Sequence, residues 1–120
     1  MIIERRQNHR VSLTLPVRYK IFHLDQIENE IQEESFRLSA KSLDISLGGI
    51  QVVSEDPLFV GDVLELEFDL PQAGRVRTVA KMAWVKKGSG SDLGKTVCGI
   101  RFIPVYENDL EKIKVYFQKA

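Results

Sequence analysis

Alternation of hydrophobic and polar residues is the main pattern along this chain. From Val11 to Ile21 the odd-numbered positions are apolar or aromatic, and from Leu64 to Leu70 apolar residues alternate with acidic ones. Because alternate side chains of a strand share a face, both segments predict strands with one face on a core. Pro16 lacks the N–H that strand pairing requires, so we expect an edge or a bulge at that point.

The alternation changes phase within the second predicted strand. Apolar residues fall on even positions from 36 to 40 but on an odd position at Ile45. A phase change near Lys41-Ser42 predicts a β-bulge, in which one extra residue bends the strand. Such a bulge would change the direction in which Asp44 and Ser46 point.

Four further strands and one helix are predicted after this point. Within the longest of these strands, Val76, Met82 and Trp84 are expected to share a face. After Pro104 the apolar residues recur at helical spacings, which predicts an amphipathic helix over residues 106–119. The four strands lie at residues 50–54, 64–70, 76–85 and 96–103.

Six strands joined mostly by short connections, followed by one helix, predict a mainly β fold. We expect a six-stranded antiparallel β-barrel, because closing the sheet removes exposed edges. The 120 residues suffice for one domain with a real core. Residues 1–10 are predicted to be a flexible arm and residues 11–120 a single barrel domain with its C-terminal helix. An acidic connection, residues 23–34, has no assigned role.

Composition excludes several classes of function. The chain has 17 basic and 17 acidic residues, so no global charge attracts it to nucleic acid or to an anionic membrane. No apolar run approaches the ~20 residues that span a bilayer, and the first residues do not resemble a secretory signal. Cys98 is the single cysteine, which fits a reducing, cytoplasmic setting.

The segment from Asp44 to Gly49 carries the first candidate chemistry. In an extended chain Asp44 and Ser46 share a face while Ile45 points to the core. The glycines at 48 and 49 permit positive φ and a close approach of the backbone. A carboxylate, a hydroxyl and backbone N–H groups would then form one small polar surface. The same residues are also ordinary in a hairpin turn, where Asp and Ser bond their own backbone.

A basic segment near the N-terminus carries the second candidate. Arg6 and Arg10 are four residues apart, and Arg5 precedes them. The planar guanidinium group matches a phosphate with two parallel hydrogen bonds and stacks on flat bases. A solvated basic tail is the alternative interpretation.

The combination of R-x-x-x-R at Arg6 and Arg10 with D-x-S-x-x-G at Asp44, Ser46 and Gly49 resembles the PilZ domain family. The resemblance extends over essentially the whole chain and includes the strand order and the Gly-Ile-Arg-Phe sequence at residues 99–102. It implies a bacterial, cytoplasmic receptor for the second messenger cyclic di-GMP, without a further cofactor or metal. It also implies regulation of a protein partner that the sequence does not identify.

The resemblance assigns roles to individual residues. Arg6 and Arg10 would hold phosphates and guanine edges, and Asp44 would accept from the guanine N1–H and N2–H₂ groups. Ser46 would bond a guanine or a phosphate, and Gly49 would keep the surface open for a base. Arg5 occupies the position at which, by the same resemblance, an arginine accompanies a stacked dimer of the ligand. The predicted binding residues are Arg5, Arg6, Arg10, Asp44, Ser46, Gly48 and Gly49.

Three other functions are weighed against the receptor. Catalysis by Ser46 would need a base, and the only histidines are His9 and His23. A nucleic-acid-binding barrel would carry basic and aromatic residues on its strands, whereas the strand at 64–70 carries acidic ones. A PilZ-fold interaction module without nucleotide binding is the remaining alternative. It is less favoured because the motif arginines are present.

Overall fold

The computed structural model describes residues 10–22, 38–103 and 107–119. These residues form seven β-strands, one short 3-10 turn at Gly90–Asp92 and one helix, α1, at Glu107–Lys119. The predicted acidic connection at 23–34 and most of the predicted arm lie outside the described residues. The strands are β1 (Val11–Ser12), β2 (Pro16–Phe22), β3 (Leu38–Ile45), β4 (Gly49–Ser54), β5 (Val63–Leu70), β6 (Gly74–Lys87) and β7 (Thr96–Ile103).

The strands close into a six-stranded antiparallel barrel, as the sequence predicted. The order of neighbours is β3-β2-β5-β6-β7-β4, and β4 pairs with β3 to complete the ring. The two-residue β1 adds to β3 outside the ring, with Val11 opposite Ile45 and Ser12 opposite Asp44. β3 therefore contacts three strands, and Asp44 lies near their meeting point.

The predicted first strand is divided in two. Residues 13–15 interrupt it, and β2 begins at Pro16. The interruption agrees with the expected irregularity at this proline, which cannot donate a ladder hydrogen bond. The alternation itself is confirmed, because Val17 and Tyr19 are buried and Arg18 between them is only half-buried.

The inward-facing residues of all six barrel strands fill the core. On β5, Leu64, Leu66, Phe68 and Leu70 are buried as their alternation predicted. The rings of Phe68 and Phe102 stack with centroids 6.2 Å apart. Burial of this apolar surface is the main favourable contribution to folding, at about 25 cal/mol per Å².

Helix α1 covers the barrel beside β5 and β6. Ile113 is buried, and Tyr116 and Phe117 pack half-buried against the core. The helix runs over residues 107–119, and residue 106, where the predicted helix begins, lies outside the described residues. Its amphipathic pattern explains this placement, since one stripe of the helix meets the barrel.

One side of the barrel carries a dense set of ion pairs between strands, which we call the ion-paired face. Arg18 on β2 bonds Glu67 on β5, with Nε and Oε1 2.9 Å apart. Arg75 on β6 bonds Asp69 with Nε 2.8 Å from Oδ1. The charges of this face therefore meet partners of opposite sign. The face consists of Arg18, Lys20, Glu65, Glu67, Asp69, Arg75 and Arg77.

Candidate functional site

Asp44 lies on the outside of the barrel, where a bulge in β3 directs it. Opposite β4, Ser42 pairs with Val52 and Asp44 pairs with Gln51, so Leu43 is the extra residue. The predicted bulge is confirmed, slightly later in the chain than Lys41-Ser42. Beyond the bulge Ile45 is fully buried, and Asp44 therefore points outward.

The two sequence motifs meet at an ion pair. Nη1 of Arg10 donates to Oδ1 of Asp44 over 2.7 Å. Strand β1 makes this contact possible, because Ser12 pairs with Asp44 and Arg10 stands two residues before it on the same side. The side chains are 37% and 24% exposed, so solvent still reaches both groups.

Only one oxygen of the Asp44 carboxylate accepts a hydrogen bond among the described residues. An ionised carboxylate can accept about four hydrogen bonds in total. The ion pair with Arg10 therefore leaves Asp44 able to accept from further donors. It also fixes the Arg10 guanidinium close to the position where those donors would lie.

Ser46 shapes the turn between β3 and β4. Its hydroxyl accepts from the amides of Gly48 and Gly49, each at 3.2 Å, and its own amide donates to the Gly49 carbonyl over 2.8 Å. Ser46 is 5% exposed. The amides of Gly48 and Gly49, expected on a small polar surface, are thus bonded within the turn, as the hairpin-turn alternative describes.

The two glycines of this turn differ in what they require. Neither Gly48 nor Gly49 has positive φ, which corrects the conformational role expected for them. Gly49 is instead needed for close packing, since a Cβ there would lie 2.3 Å from the carbonyl oxygen of Ile100. A Cβ on Gly48 would meet nothing within 4 Å.

A continuous surface extends from Asp44 across three strands, and we call it the Asp44–Trp84 face. Asp44 pairs with Gln51 on β4, Gln51 with Gly99 on β7, and Gly99 with Trp84 on β6. Neighbouring strands are about 4.8 Å apart, so three steps cover roughly 14 Å. Arg10 extends the surface at one end.

Trp84 is the aromatic residue of this face. The sequence predicted that it shares a face with Val76 and Met82, and that prediction is wrong, because those two side chains are buried and Trp84 is exposed. A bulge between Met82 and Trp84 turns the indole outward, where it is 37% exposed. The indole lies over Gly99, since a Cβ on that glycine would be 2.3 Å from the Trp84 Nε1. Nζ of Lys86 lies 5.8 Å from the ring, within cation–π range.

Cations border the same face. Arg101 pairs with Gly49 on one side and with Lys81 on the other, and both side chains are exposed. Within the residues that the structure describes, neither forms an ion pair. The sequence alone predicted no role for them, because a single cation in a strand pattern is not informative without the register.

The described residues offer no cluster for a metal ion, and their cysteine, Cys98, is buried. No group of three or more His, Cys, Asp or Glu among them could hold a metal ion. Burial raises the pKa of the Cys98 thiol to about 12, so it stays protonated and unreactive. In the part of the chain that is described, no helix has the length and apolar content to cross a membrane.

Comparison with known proteins identifies the family. The PilZ domain model matches residues 4–119, which is nearly the whole chain. The chain belongs to the PilZ domain family. A comparison with curated proteins gave no match.

Solved structures share the fold of this PilZ domain. The inhibitor of motility MotI/DgrA of Bacillus subtilis superposes with a TM-score of 0.68 at 21% identity over 92% of this chain. The PilZ domain of Escherichia coli YcgR, solved with c-di-GMP, gives a TM-score of 0.62 at 20% identity over 92% of this chain and 87% of that chain. YcgR in complex with c-di-GMP gives 0.63 at 16% identity over 92% of this chain and 43% of that chain. This PilZ domain spans about half of the MotI chain, 48% of its length.

The structure brings together only some of the predicted binding residues. Arg10 and Asp44 are in contact, and the turn from Ser46 to Gly49 follows Asp44 directly. Arg5 and Arg6 lie outside the described residues, so their positions stay a prediction. Trp84 and Arg101 are the additional residues that the fold of this PilZ domain places beside the motif.

Proposed function

We propose that this PilZ domain is a receptor for cyclic di-GMP and binds it on the Asp44–Trp84 face. The observation that carries the proposal is the Arg10–Asp44 contact of 2.7 Å, which joins the two family motifs across β1 and β3. Both c-di-GMP structures of YcgR share the fold, which supports the same ligand class here. No catalytic role is proposed.

The ligand carries two phosphodiester charges and two guanines, and the face offers a partner for each type of group. Asp44 keeps acceptor capacity for the N1–H and N2–H₂ donors of guanine. Arg10 supplies a planar fork for a phosphate or the guanine O6 and N7 edge. In this proposal Arg10 stays near Asp44 and both contact the same nucleotide.

Trp84 and Arg101 extend the proposed contacts to the rest of the ligand. Stacking of a base on an exposed aromatic ring contributes about 1–3 kcal/mol. The base would take the place of Lys86 over the indole, and the ammonium group would then be free to approach a phosphate. Arg101 lies between this ring and the β3–β4 turn in register, where it would contact the second phosphate.

Ser46, Gly48 and Gly49 support the site through the shape of the turn. The Ser46 hydroxyl holds two amides of the turn, so we assign it a supporting role. A direct contact of Ser46 with the ligand stays a prediction. Substitution of Ser46 by Ala would then weaken binding by deforming the turn that follows Asp44.

Arg5 and Arg6 complete the proposed clamp on phosphates. With Arg10 they would place three guanidinium groups beside the ligand, enough to contact a stacked pair of cyclic di-GMP molecules. We therefore propose two ligands per chain. Calorimetry should give a ratio of ligand to protein chain near two for the parent and a lower ratio for Arg5→Leu. A ratio near one in both proteins would leave Arg5 without a role in stoichiometry.

The receptor would act in the bacterial cytoplasm, where binding changes its conformation and thereby regulates a protein partner. Closure of the arginine-bearing segment over the ligand is the proposed change. The alternative is a PilZ-fold interaction module that binds no nucleotide.

Calorimetric titration and thermal unfolding with cyclic di-GMP test the proposal. A hundredfold excess of ligand over Kd should stabilise the fold by about 2.7 kcal/mol, whereas GMP and the linear dinucleotide should have much smaller effects. Arg10→Lys should bind more weakly than the parent, because lysine lacks the planar fork. Folded protein that shows neither heat nor a shift in Tm would favour the interaction module.

A further inference from the structure

A buried hydroxyl completes the hydrogen bonding of the irregular junction between β1 and β2. Ser12 pairs with Asp44, and Pro16 pairs with Lys41. The segment from residue 12 to residue 16 therefore spans four residue steps, whereas the β3 segment opposite it spans three. Regular pairing cannot bridge this mismatch, and backbone groups at the junction need other partners. Ser42, which is 0% exposed, occupies the junction.

The Ser42 hydroxyl satisfies two backbone groups at once. It accepts a hydrogen bond from the amide of Leu15 over 3.0 Å and donates one to the carbonyl of Leu13. Backbone bonds flank it on both sides: the Leu13 amide donates to Leu43 over 3.1 Å, and the Ser42 amide donates to Leu15 over 3.0 Å. The hydroxyl thus fills the gap in an otherwise continuous set of contacts.

We infer that Ser42 is a positioning residue for the ligand site. Strand β1 contains two residues and, among the described strands, pairs only with β3. Its position therefore depends on the junction that follows it. By holding Leu13 and Leu15 on β3, Ser42 holds Ser12 opposite Asp44 and keeps Arg10 within reach of that carboxylate. Ser42 faces the inside of this junction and does not contact the ligand.

The inference rests on the proposed binding of cyclic di-GMP, and a double-mutant cycle tests it. Ser42→Ala should weaken cyclic di-GMP binding about tenfold in the parent but less than about twofold in the Arg10→Ala background, because coupled residues are non-additive. Equal losses in both backgrounds would overturn the positioning role.

Ser54→Ala is the matched control. Ser54 is also a buried serine with two partners: its hydroxyl bonds Tyr19 OH at 2.9 Å and accepts from the Asp56 amide at 3.0 Å. It lies at the far end of β4, away from β1. Ser54→Ala should lower Tm without weakening the binding of cyclic di-GMP. If both variants weaken binding equally, general destabilisation is the cause and the inference fails.

Hydrogen exchange without ligand separates this inference from the proposed function. The Leu13 amide donates to the Leu43 carbonyl, and this bond should open more often when the Ser42 hydroxyl no longer holds the junction. The Leu13 amide should therefore exchange much faster in Ser42→Ala and at the parental rate in Ser54→Ala. This readout holds even if the parent binds no cyclic di-GMP, and an unchanged Leu13 rate would overturn the inference. Should Ser42→Ala fail to fold, Ser42→Cys keeps a side-chain atom in place of the hydroxyl oxygen, with a weaker hydrogen-bonding group, and serves in both experiments.

Discussion

The two charged faces of the barrel differ in how their charges are used. On the ion-paired face, strands β2, β5 and β6 place Arg18 beside Glu67 and Arg75 beside Asp69. On the Asp44–Trp84 face, the described residues form one ion pair, between Arg10 and Asp44. Arg101 borders this face and forms no ion pair with another described residue. Each face contains arginines and carboxylates, so charge alone does not distinguish them.

This difference indicates that a binding surface combines charged groups that keep unused hydrogen-bonding capacity with open space beside them. Exposed ion pairs contribute little to stability, with a median of about 0–1 kcal/mol, and on the ion-paired face each carboxylate lies against at least one cation. The Asp44–Trp84 face has spare acceptor capacity at Asp44, an exposed indole and a glycine beneath that indole. These features suit a flat, anionic ligand.

The largest expected effect is the loss of ligand binding when the motif contact is removed. Arg10→Ala should cost about 1.5–3 kcal/mol of cyclic di-GMP binding, the range for hydrogen bonds to charged groups. Asp44→Asn should also weaken binding, because its amide places a donor against the guanine donors. Arg75→Ala, on the ion-paired face, is the control and should bind like the parent in calorimetry. Equal losses for Arg10 and Arg75 would remove the distinction between the faces.

The β3–β4 turn should tolerate a methyl group at one glycine and not at the other. Gly49→Ala should destabilise the fold by about 1–3 kcal/mol, the usual cost of overpacking, because the Cβ would collide with the Ile100 carbonyl. Gly48→Ala should unfold at nearly the parental denaturant midpoint. A stable Gly49→Ala protein would contradict the close packing beneath this turn.

A smaller effect on binding is expected at the indole. Trp84→Ala should weaken cyclic di-GMP binding by about 1–2 kcal/mol, since the stacked base replaces an existing cation–π contact with Lys86. Gly99→Ala should displace the indole, so the tryptophan fluorescence should shift without ligand. Parental affinity in Trp84→Ala would exclude the indole from the site.

The smallest effect is expected at Asp69. The hydrogen bond from Arg75 lowers the pKa of its carboxyl, so the pair stabilises the fold above the unfolded pKa of about 3.9 and loses this effect as the pH falls through the folded pKa. Asp69→Asn should lower Tm slightly at pH 7, and the difference should vanish in acid. A difference that persists there would have a cause other than ionisation. Affinity for cyclic di-GMP should not change.

Much of the fold followed from the sequence because alternation reports burial directly. The core positions of β5 and the phase change in β3 both appear as hydrophobic periodicity. Trp84 was misplaced for the same reason: the bulge before it shifts the phase, and nothing in the local sequence marks an extra residue at Ala83. The pairing of Ser12 with Asp44 depends on a contact between distant segments, which periodicity does not contain.

The most direct test of the central claim is an amide NMR titration with cyclic di-GMP. We expect the shifts to concentrate at Arg10, Asp44, Gln51 and Gly99 and at the Trp84 indole N–H, while the amides of the ion-paired face shift little. Saturable shifts centred on β2 and β5, or a folded protein whose spectrum does not change, would contradict it.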